Sequence, residues 1–533
     1  MLEMVRSIVN RVFPDYTLRG RLFRRAAAKL GLLRDPSWSR AYFDWIQSIE
    51  PGLFHPICQA TGETPLISVV VPFFNTPDRY AQPLLDSISS QSFQGWELIV
   101  ADASTDEEAS KRIRSYATRD PRFVYVRLAR NAGIAQNTNE ALTHARGTYI
   151  AFADHDDVLS HNALNEMVVA IGNDEDVDIL YSDEDVLSED GVMRKGPFFK
   201  PAWSPHMFLE MNYTNHLSVI RRCLIDEVGG LRPDLDGAQD YDLLLRIHAL
   251  SRPMRVRHIP AVLYHWREAE HSTARDISTK RYAIDAGRRG LEDYLRAVGV
   301  SYEETSDVDG RPGWYRIRPR QSCTVLVLVS VSQDQRLNQD VAKELEARTS
   351  GKWVVPIFEP VPPGTDLKGF ASTRTEDIVV IQRCECFPDE PTWLDDLTGV
   401  LALPRTIAVA PLVIDEESRV VNAGLVNEGG KLTPLYPGCP VTSGGLAGPA
   451  DLVRDADGLS THLIAFSRLT PYDALWLNAV ISKPACEESL VVWGHTKVVH
   501  HPLSHPDGIL NPNLNLIAAG VALPEPEETP WKR

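Results

Sequence analysis

The chain has no apolar run near the roughly 20 residues that a membrane-spanning helix needs. The longest, "TVLVLVSV" at 324–331, is strand-sized and β-branched. The first 40 residues lack the apolar core of a signal peptide. Cysteine is scarce and scattered, with seven residues at 58, 223, 323, 384, 386, 439 and 486. An odd, unpatterned set points to free thiols in a reducing compartment. Cys384 and Cys386 form a lone C-x-C without the further ligands that zinc requires. Basic charge is also short: 55 Lys and Arg stand against 72 Asp and Glu, a formal charge of −17. That balance excludes nucleic acid as the main partner, which calls for a basic face.

What is present is globular in composition, with 43% apolar and 24% charged residues. A length of 533 residues calls for two or three domains. Residues 1–64 read as a helical extension broken at Pro14, Pro36 and Pro51. Its first 40 residues carry nine basic residues against three acids, with apolar residues interleaved. Such a segment suits the surface of an anionic membrane, or simple packing on the next domain. The expected location is cytoplasmic, with a peripheral place on the inner face of a bacterial inner membrane as the membrane reading.

At "PLISVVVPFFN" (65–75) the pattern changes. Strand-like runs at 67–72, 97–101, 122–128, 148–153 and 177–182 alternate with helical patterns at 78–90, 106–118, 133–145 and 160–171. Near-continuous apolar strands separated by helices predict a parallel sheet covered on both faces. Ligands then bind beyond the carboxyl ends of the strands. Further on, 216–222 and 258–267 read as strands, 239–250 and 277–298 as helices, and 301–320 as a connector. A second α/β pattern starts at Cys323.

Three polar strand ends fall at that rim: "ADHDD", "ADASTD" after the strand 97–101, and Phe73, Phe74 and Asn75 after the strand 67–72. "ADHDD" follows the strand 148–153, and like charges so close need a cation or donors to offset them. Asp154 and Asp156, one residue apart, suit a hard divalent cation shared with substrate phosphates; the plain alternative is a solvated acidic turn. Asp102 in "IVADASTD" suits a nucleobase imide N–H, unless it or Ser104 only caps the next helix. Asp240 and Asp242 open the helix of "AQDYDLLLR", where acids are favoured by the dipole, or where one serves as a general base. His265 and Arg267 in "LYHWR" suit a cation and phosphate oxygens, or a plain hydrogen-bonded strand.

Taken in order, "ISVVVPFFN", "SISSQSFQGWELIVADASTD", "NAGIAQNTNEALTHARGTYIAFADHDD", "FFKPAWSPHMFLEMNYTNHLSVIRR", "VGGLRPDLDGAQDYDLLLR" and "HIPAVLYHWR" resemble an inverting glycosyltransferase of family 2 with a GT-A fold. The later pieces resemble the subgroup that builds bacterial O-antigens and other surface polysaccharides. The resemblance implies a GT-A domain over 65–300 and a linker over 301–320. It implies that Asp102, supported by Pro72 and Asn75, binds the base of a UDP- or dTDP-sugar. Asp154 and Arg267 would lie on the sugar nucleotide, Asp156 and His265 on Mn²⁺ or Mg²⁺, and Asp240 would be the catalytic base. The family usually has two acids where this chain has Ala101-Asp102. The acceptor would be a hydroxyl of a glycan or lipid-linked glycan, with homo-oligomerisation left open.

The stretch 393–426 resembles the middle of a second such domain. At the expected D-x-D stand Arg383, Cys384 and Glu385, and no counterpart of "AQDYDLLLR" follows. Residues 321–533 are therefore expected to be a degenerate, non-catalytic GT-A-like domain, with an unrelated α/β domain as the alternative. Two other function classes compete. A sugar-1-phosphate nucleotidyltransferase calls for a Gly-rich loop after the first strand, and "VVVPFFNTPDRY" has no glycine. A glycan-binding scaffold would not require Asp156 and Asp240 together.

Overall fold

The computed structural model describes residues 37–500, less short internal stretches of which 269–280, 468–479 and 483–488 are the longest. Residues 1–36, with most of the basic amphipathic segment, and Arg383, Cys384 and Glu385 lie outside the described residues. The chain divides into two compact units, one running to Pro319 and the other starting at Arg320.

The first unit opens with helix α1 (Ser37–Ser48). Then β1 (Ile67–Phe73), α2 (Asp78–Ser89), β2 (Trp96–Asp102), α3 (Glu107–Arg119), β3 (Phe123–Arg127), α4 (Ile134–Leu142) and β4 (Tyr149–Phe152) alternate as expected. The strands form where β-branched residues run together, and every residue of β2 is buried, as in a sheet covered on both faces. There follow β5 (Val158–Leu159), α5 (Ala163–Asn173), β6 (Ile179–Leu187), β7 (Arg194–Phe198), α6 (Pro205–Phe208), β8 (Ser218–Arg221), α7 (Arg222–Glu227), α8 (Gln239–His248), β9 (Val256–Arg267) and α9 (Arg281–Ala297).

The strand order is β3-β2-β1-β4-β8-β6-β9-β5, with β7 on the side of β6. β1 runs parallel to β2 and β4, so Phe73 pairs with Asp102 and Val70 with Phe152. Three strand ends thus open on one rim. β8 enters antiparallel between β4 and β6, and β9 returns parallel to β6. The core gathers Ile67, Val69, Val71, Leu98, Val100, Tyr149, Met167 and Val219 with side chains of the covering helices.

The expected connector 301–320 differs from expectation. It forms an antiparallel hairpin, β10 (Tyr302–Asp307) with β11 (Tyr315–Pro319). In β11, Tyr315, Ile317 and Pro319 are buried in alternation, the period of a half-covered strand. Gly313, at φ 82°, supplies the left-handed residue near the turn.

The second unit contains β12 (Cys323–Val329), α10 (Gln335–Arg348), β13 (Val354–Pro360), β14 (Ile378–Gln382), β15 (Cys386–Pro388), α11 (Trp393–Leu401) and β16 (Thr406–Ile414). Strands Leu463–Ser467 and Ser489–His500 complete its main sheet. The order is β13, β12, β14, Leu463–Ser467, β16, Ser489–His500, β15. β12 is parallel to β13 and β14, Leu463–Ser467 is antiparallel to both its neighbours, Ser489–His500 is parallel to β16, and β15 is antiparallel to it. Strand for strand this repeats the first sheet without its outermost strand. β15 follows β14 as β5 follows β4. No described helix in either unit is long and apolar enough to cross a membrane.

Candidate active site

At the end of β1, Pro72 lines a cavity together with Asp154, Asn215, His216 and Asp240. Asn75 lies just beyond the strand with φ 48°. Its side-chain oxygen accepts the backbone N–H groups of Thr105 and Asp106 at 2.8 and 3.1 Å, and its own N–H donates to Ser104 Oγ at 2.8 Å. It fastens the β1 end to the β2–α3 loop, an arrangement that favours Asn over most side chains at positive φ.

Asp102 ends β2 and is 0% exposed. The helix-capping alternative for it fails, since Asp106 caps α3 by accepting the Glu108 N–H at 3.0 Å. The Asp102 Oδ1 accepts the Ser104 N–H at 2.9 Å. Its Oδ2 accepts from Ser110 Oγ at 2.5 Å, Tyr125 Oη at 2.9 Å and Arg127 Nη1 at 3.0 Å. Burial alone would raise its pKa, but the hydrogen bonds from Ser104 and Ser110 outweigh it and hold the carboxyl below its usual range.

The three acids after β4 take different environments. Asp154 has a side chain 51% exposed and faces the cavity. Asp157 is fully buried and accepts Tyr264 Oη at 2.6 Å and the Arg267 N–H at 2.7 Å. Asp156 lies between them, half-buried. Burial first, then Asp156 and Asp154, push the Asp157 pKa well up. Burial also raises that of Asp156, with Asp154 adding to it and His155 opposing. The crowding of charge read from the sequence is thus real, and Asp157 is its inward anchor.

Arg267 is 2% exposed and braces this loop from below. Its Nε donates to the Asp156 carbonyl at 2.9 Å and its Nη1 to the Glu189 carbonyl at 3.3 Å. His265 pairs with Val158 on β5 and with Asp185 on β6. Its Nδ1 lies 2.6 Å from Asp185 Oδ1. A carboxylate only accepts, so Nδ1–H is the donor, and in the neutral ring the lone pair then lies on Nε2. That is the tautomer a metal ligand needs. Burial would raise the Asp185 pKa, but His265 and then Arg194 keep it below the ordinary carboxylate value.

Asp240 stands in the first turn of α8, where Asn215 Nδ2 donates to its Oδ2 and Asn212 Nδ2 lies 3.5 Å away. Burial pushes its pKa up against the pull of His216. The loop before α8 also closes α4, because Asp236 Oδ1 accepts the Ala135 N–H at 2.9 Å. A Cβ at Gly133, whose φ is 97°, would meet Asp236 Oδ2 at 2.1 Å. The glycine of "NAGIAQN" is thereby explained.

His216 was not singled out from the sequence, where a lone histidine before a strand gives no signal. Its ring stacks on Tyr264 with centroids 4.8 Å apart. Nε2 is 3.7 Å from Asp154 Oδ2 and Nδ1 is 3.5 Å from Glu184 Oε2. Burial alone would lower its pKa, but Glu184 and then Asp154 carry it up to about 9. It bridges the acids after β4 to the cavity beside Asp240. Asp185 and Tyr42 were also missed. Among the described residues, no three carboxylate, imidazole or thiolate groups gather closely enough to cage a metal alone. A cation shared with a substrate diphosphate does not require such a cage.

The family model "Glycosyl transferase family 2" matches residues 68–228. An uncharacterised Sinorhizobium fredii protein, y4gI, is 36% identical over 315 residues, covering 56% of this chain and 34% of that protein. The Myxococcus xanthus O-antigen biosynthesis protein RfbC is 30% identical over 419 residues, covering 72% of this chain and 32% of RfbC. The chain therefore spans about a third of the length of these two relatives. A crystal structure of S. aureus TarS 1–349 in complex with UDP-GlcNAc is similar over 43% of this chain and 72% of that one, at 19% identity and a TM-score of 0.33. Residues 68–228 thus belong to glycosyl transferase family 2.

Proposed function

We propose that the chain is a metal-dependent inverting glycosyltransferase. It moves a sugar from a UDP- or dTDP-sugar to a hydroxyl of a growing bacterial surface glycan such as O-antigen. The observation that carries this reading is the shared cavity of Asp154 and Asp240, lined also by Pro72 and His216. One acid of the D-x-D and the candidate base, 86 positions apart in sequence, face one space. The likeness to RfbC over 72% of the chain supports the O-antigen class of acceptor.

In this reading Asp102, with Pro72 and Asn75, receives the base. Asp154 lies toward the ribose and diphosphate, Arg267 acts on the site through the Asp156 loop it holds, and Asp156 and His265 hold Mn²⁺ or Mg²⁺. The residues fit a cation: Asp154 faces the cavity with Asp156 half-buried beside it, and the bond from Nδ1 to Asp185 leaves Nε2 of His265 as the ring nitrogen available to an ion. The ion would neutralise the diphosphate as it leaves. Asp240, oriented by Asn215 and Asn212, takes the proton of the acceptor hydroxyl. The acceptor oxygen bonds to the anomeric carbon, and the bond to the diphosphate breaks with its electron pair. A single in-line displacement inverts that centre.

A panel of UDP- and dTDP-sugars, assayed for hydrolysis and transfer with and without Mn²⁺, tests the reading. Turnover of at least one donor that stops on chelation is expected. Failure to bind or turn over any of them would favour a glycan-binding scaffold. A peripheral place at the inner membrane face, through residues 1–40, belongs to the same proposal. Flotation of full-length and truncated chains with anionic liposomes tests it, and equal flotation would reject it.

A further inference from the structure

Asp185 is a buried junction. It is 0% exposed, and both its oxygens are taken. Oδ1 accepts His265 Nδ1–H at 2.6 Å. Oδ2 accepts Tyr42 Oη–H at 2.6 Å and Arg194 Nε–H at 2.6 Å. Arg194 in turn forks onto Glu50 at 2.7 and 2.6 Å and reaches Tyr42 Oη at 3.2 Å. The group is closed: each buried charge has a partner, as burial requires. Among the described residues, the ring nitrogen this group leaves unused is Nε2 of His265.

Two members, Tyr42 and Glu50, precede the family match at residues 68–228. Tyr42 lies on α1, which is docked by rings: Tyr42 and Trp45 meet Phe199 with centroids 6.3 and 5.4 Å apart. Apolar packing is enough to dock the helix. The Tyr42 hydroxyl adds something else, a hydrogen bond aimed across 143 positions at the carboxylate that fixes the His265 tautomer.

We propose that Tyr42 and Arg194 are positioning residues for His265, acting through Asp185, so that the segment preceding the family domain is a working part of its cation site. This rests on His265 being a cation ligand. A carboxylate behind a ligating imidazole fixes the ring and raises its basicity, and losing such a partner costs about 10–100-fold in metal affinity. Tyr42 acts one bond further out, so its effect is smaller.

The test is Mn²⁺ binding to the full chain in a fixed, saturating concentration of UDP, followed by the paramagnetic resonance of the free ion against a protein-free UDP control. Asp185→Asn should weaken binding about 10-fold or more. Tyr42→Phe should weaken it about 3-fold, with the ¹⁵N shifts of His265 moving away from the Nδ1–H form. Trp45→Leu removes a ring stacked on Tyr42 but leaves the Tyr42 hydroxyl in place, so it should lower Tm while weakening Mn²⁺ binding less than Tyr42→Phe does. If Tyr42→Phe binds as wild type does while His265→Ala is weakened, the positioning role is wrong and the ligand stands. If Trp45→Leu weakens binding as much as Tyr42→Phe, the effect is helix packing and the proposal falls. If His265→Ala binds normally, the ligand assignment itself fails and takes the proposal with it. Tyr42→Phe removes one oxygen, so it decides the matter even if Asp185→Asn does not fold.

Discussion

Asp240 and Asp242 stand two residues apart in the first turn of α8 and meet opposite environments. Asp242 is fully buried and held by Arg232 Nη2 and by Arg246 Nε, the latter at 2.9 Å. Asp240 lines the cavity and is held by asparagine amides instead of cations. The oxygens of Asp242 are thus engaged by guanidinium groups, whereas burial raises the pKa of Asp240 and suits it to accept a proton.

Asp240→Asn should therefore lower kcat by about 10²–10⁴ with donor binding little changed, the range for losing a general base. Its raised pKa puts the acid limb of kcat above the ordinary carboxylate value of about 4, with activity rising as the group deprotonates. Asp242→Asn should instead cost about 3 kcal/mol of stability by stranding its arginines, with kcat of the folded fraction near wild type. Steady-state kinetics and urea unfolding on both variants separate the two. A larger kcat loss at Asp242 would move the base to that residue.

Asp156→Asn should abolish transfer and weaken nucleotide binding, because the cation would lose a charged ligand. Asp157→Asn should act differently. Asp157 is the inward anchor of the loop, on Tyr264 and Arg267, so its loss should appear first in stability. Donor titrations in Mn²⁺ and in EDTA decide. Full transfer by Asp156→Asn in EDTA would remove the cation from the reading.

The rim was legible because each strand of the parallel sheet is an apolar run ending in polar residues. β1, β2 and β4 lie within two residues of their expected bounds. The convergence of Asp154 and Asp240 was not legible from spacing alone. It depends on β8 and β9 inserting into the sheet, and only resemblance to a family suggested it. Side-chain networks across long separations left still less trace. Nothing in "RAYFDW" marks Tyr42 for Asp185, and nothing in "YTNHLS" marks His216 for Asp154 and Glu184. The hairpin at 302–319 was read as a connector because glycine and proline signal a break equally well in a linker or between two short strands.

Asp102 should make stability pH-dependent. Its folded pKa lies below its unfolded value of about 3.9. The folded state then binds the proton less readily than the unfolded chain. Its contribution is full above the unfolded pKa and is lost as pH falls through the folded one. Asp102→Asn should cost about 1–3 kcal/mol at pH 7, through donors left unsatisfied. The gap to wild type in urea midpoints should narrow below about pH 4. A gap that stays constant from pH 7 to pH 3 would mean the charge of Asp102 does not matter to folding.

The last prediction concerns the repeated sheet. Its strand order and pairing senses copy those of the first unit, and its register sets His500 opposite Cys386 as His265 is set opposite Val158. A histidine thus remains at the position of the first unit's candidate ligand. The acids do not. Where Asp154, His155 and Asp156 follow β4, the sequence after β14 reads Arg383, Cys384 and Glu385. An arginine there repels a divalent cation that an aspartate would attract. One imidazole and one glutamate should neither hold a metal-bound diphosphate nor transfer a sugar. Calorimetric titration of the full chain with UDP or dTDP in Mn²⁺ should accordingly give one site per chain, weakened by Asp156→Asn. A second site that survives Asp156→Asn and still requires Mn²⁺ would show that the repeat has kept a working nucleotide pocket.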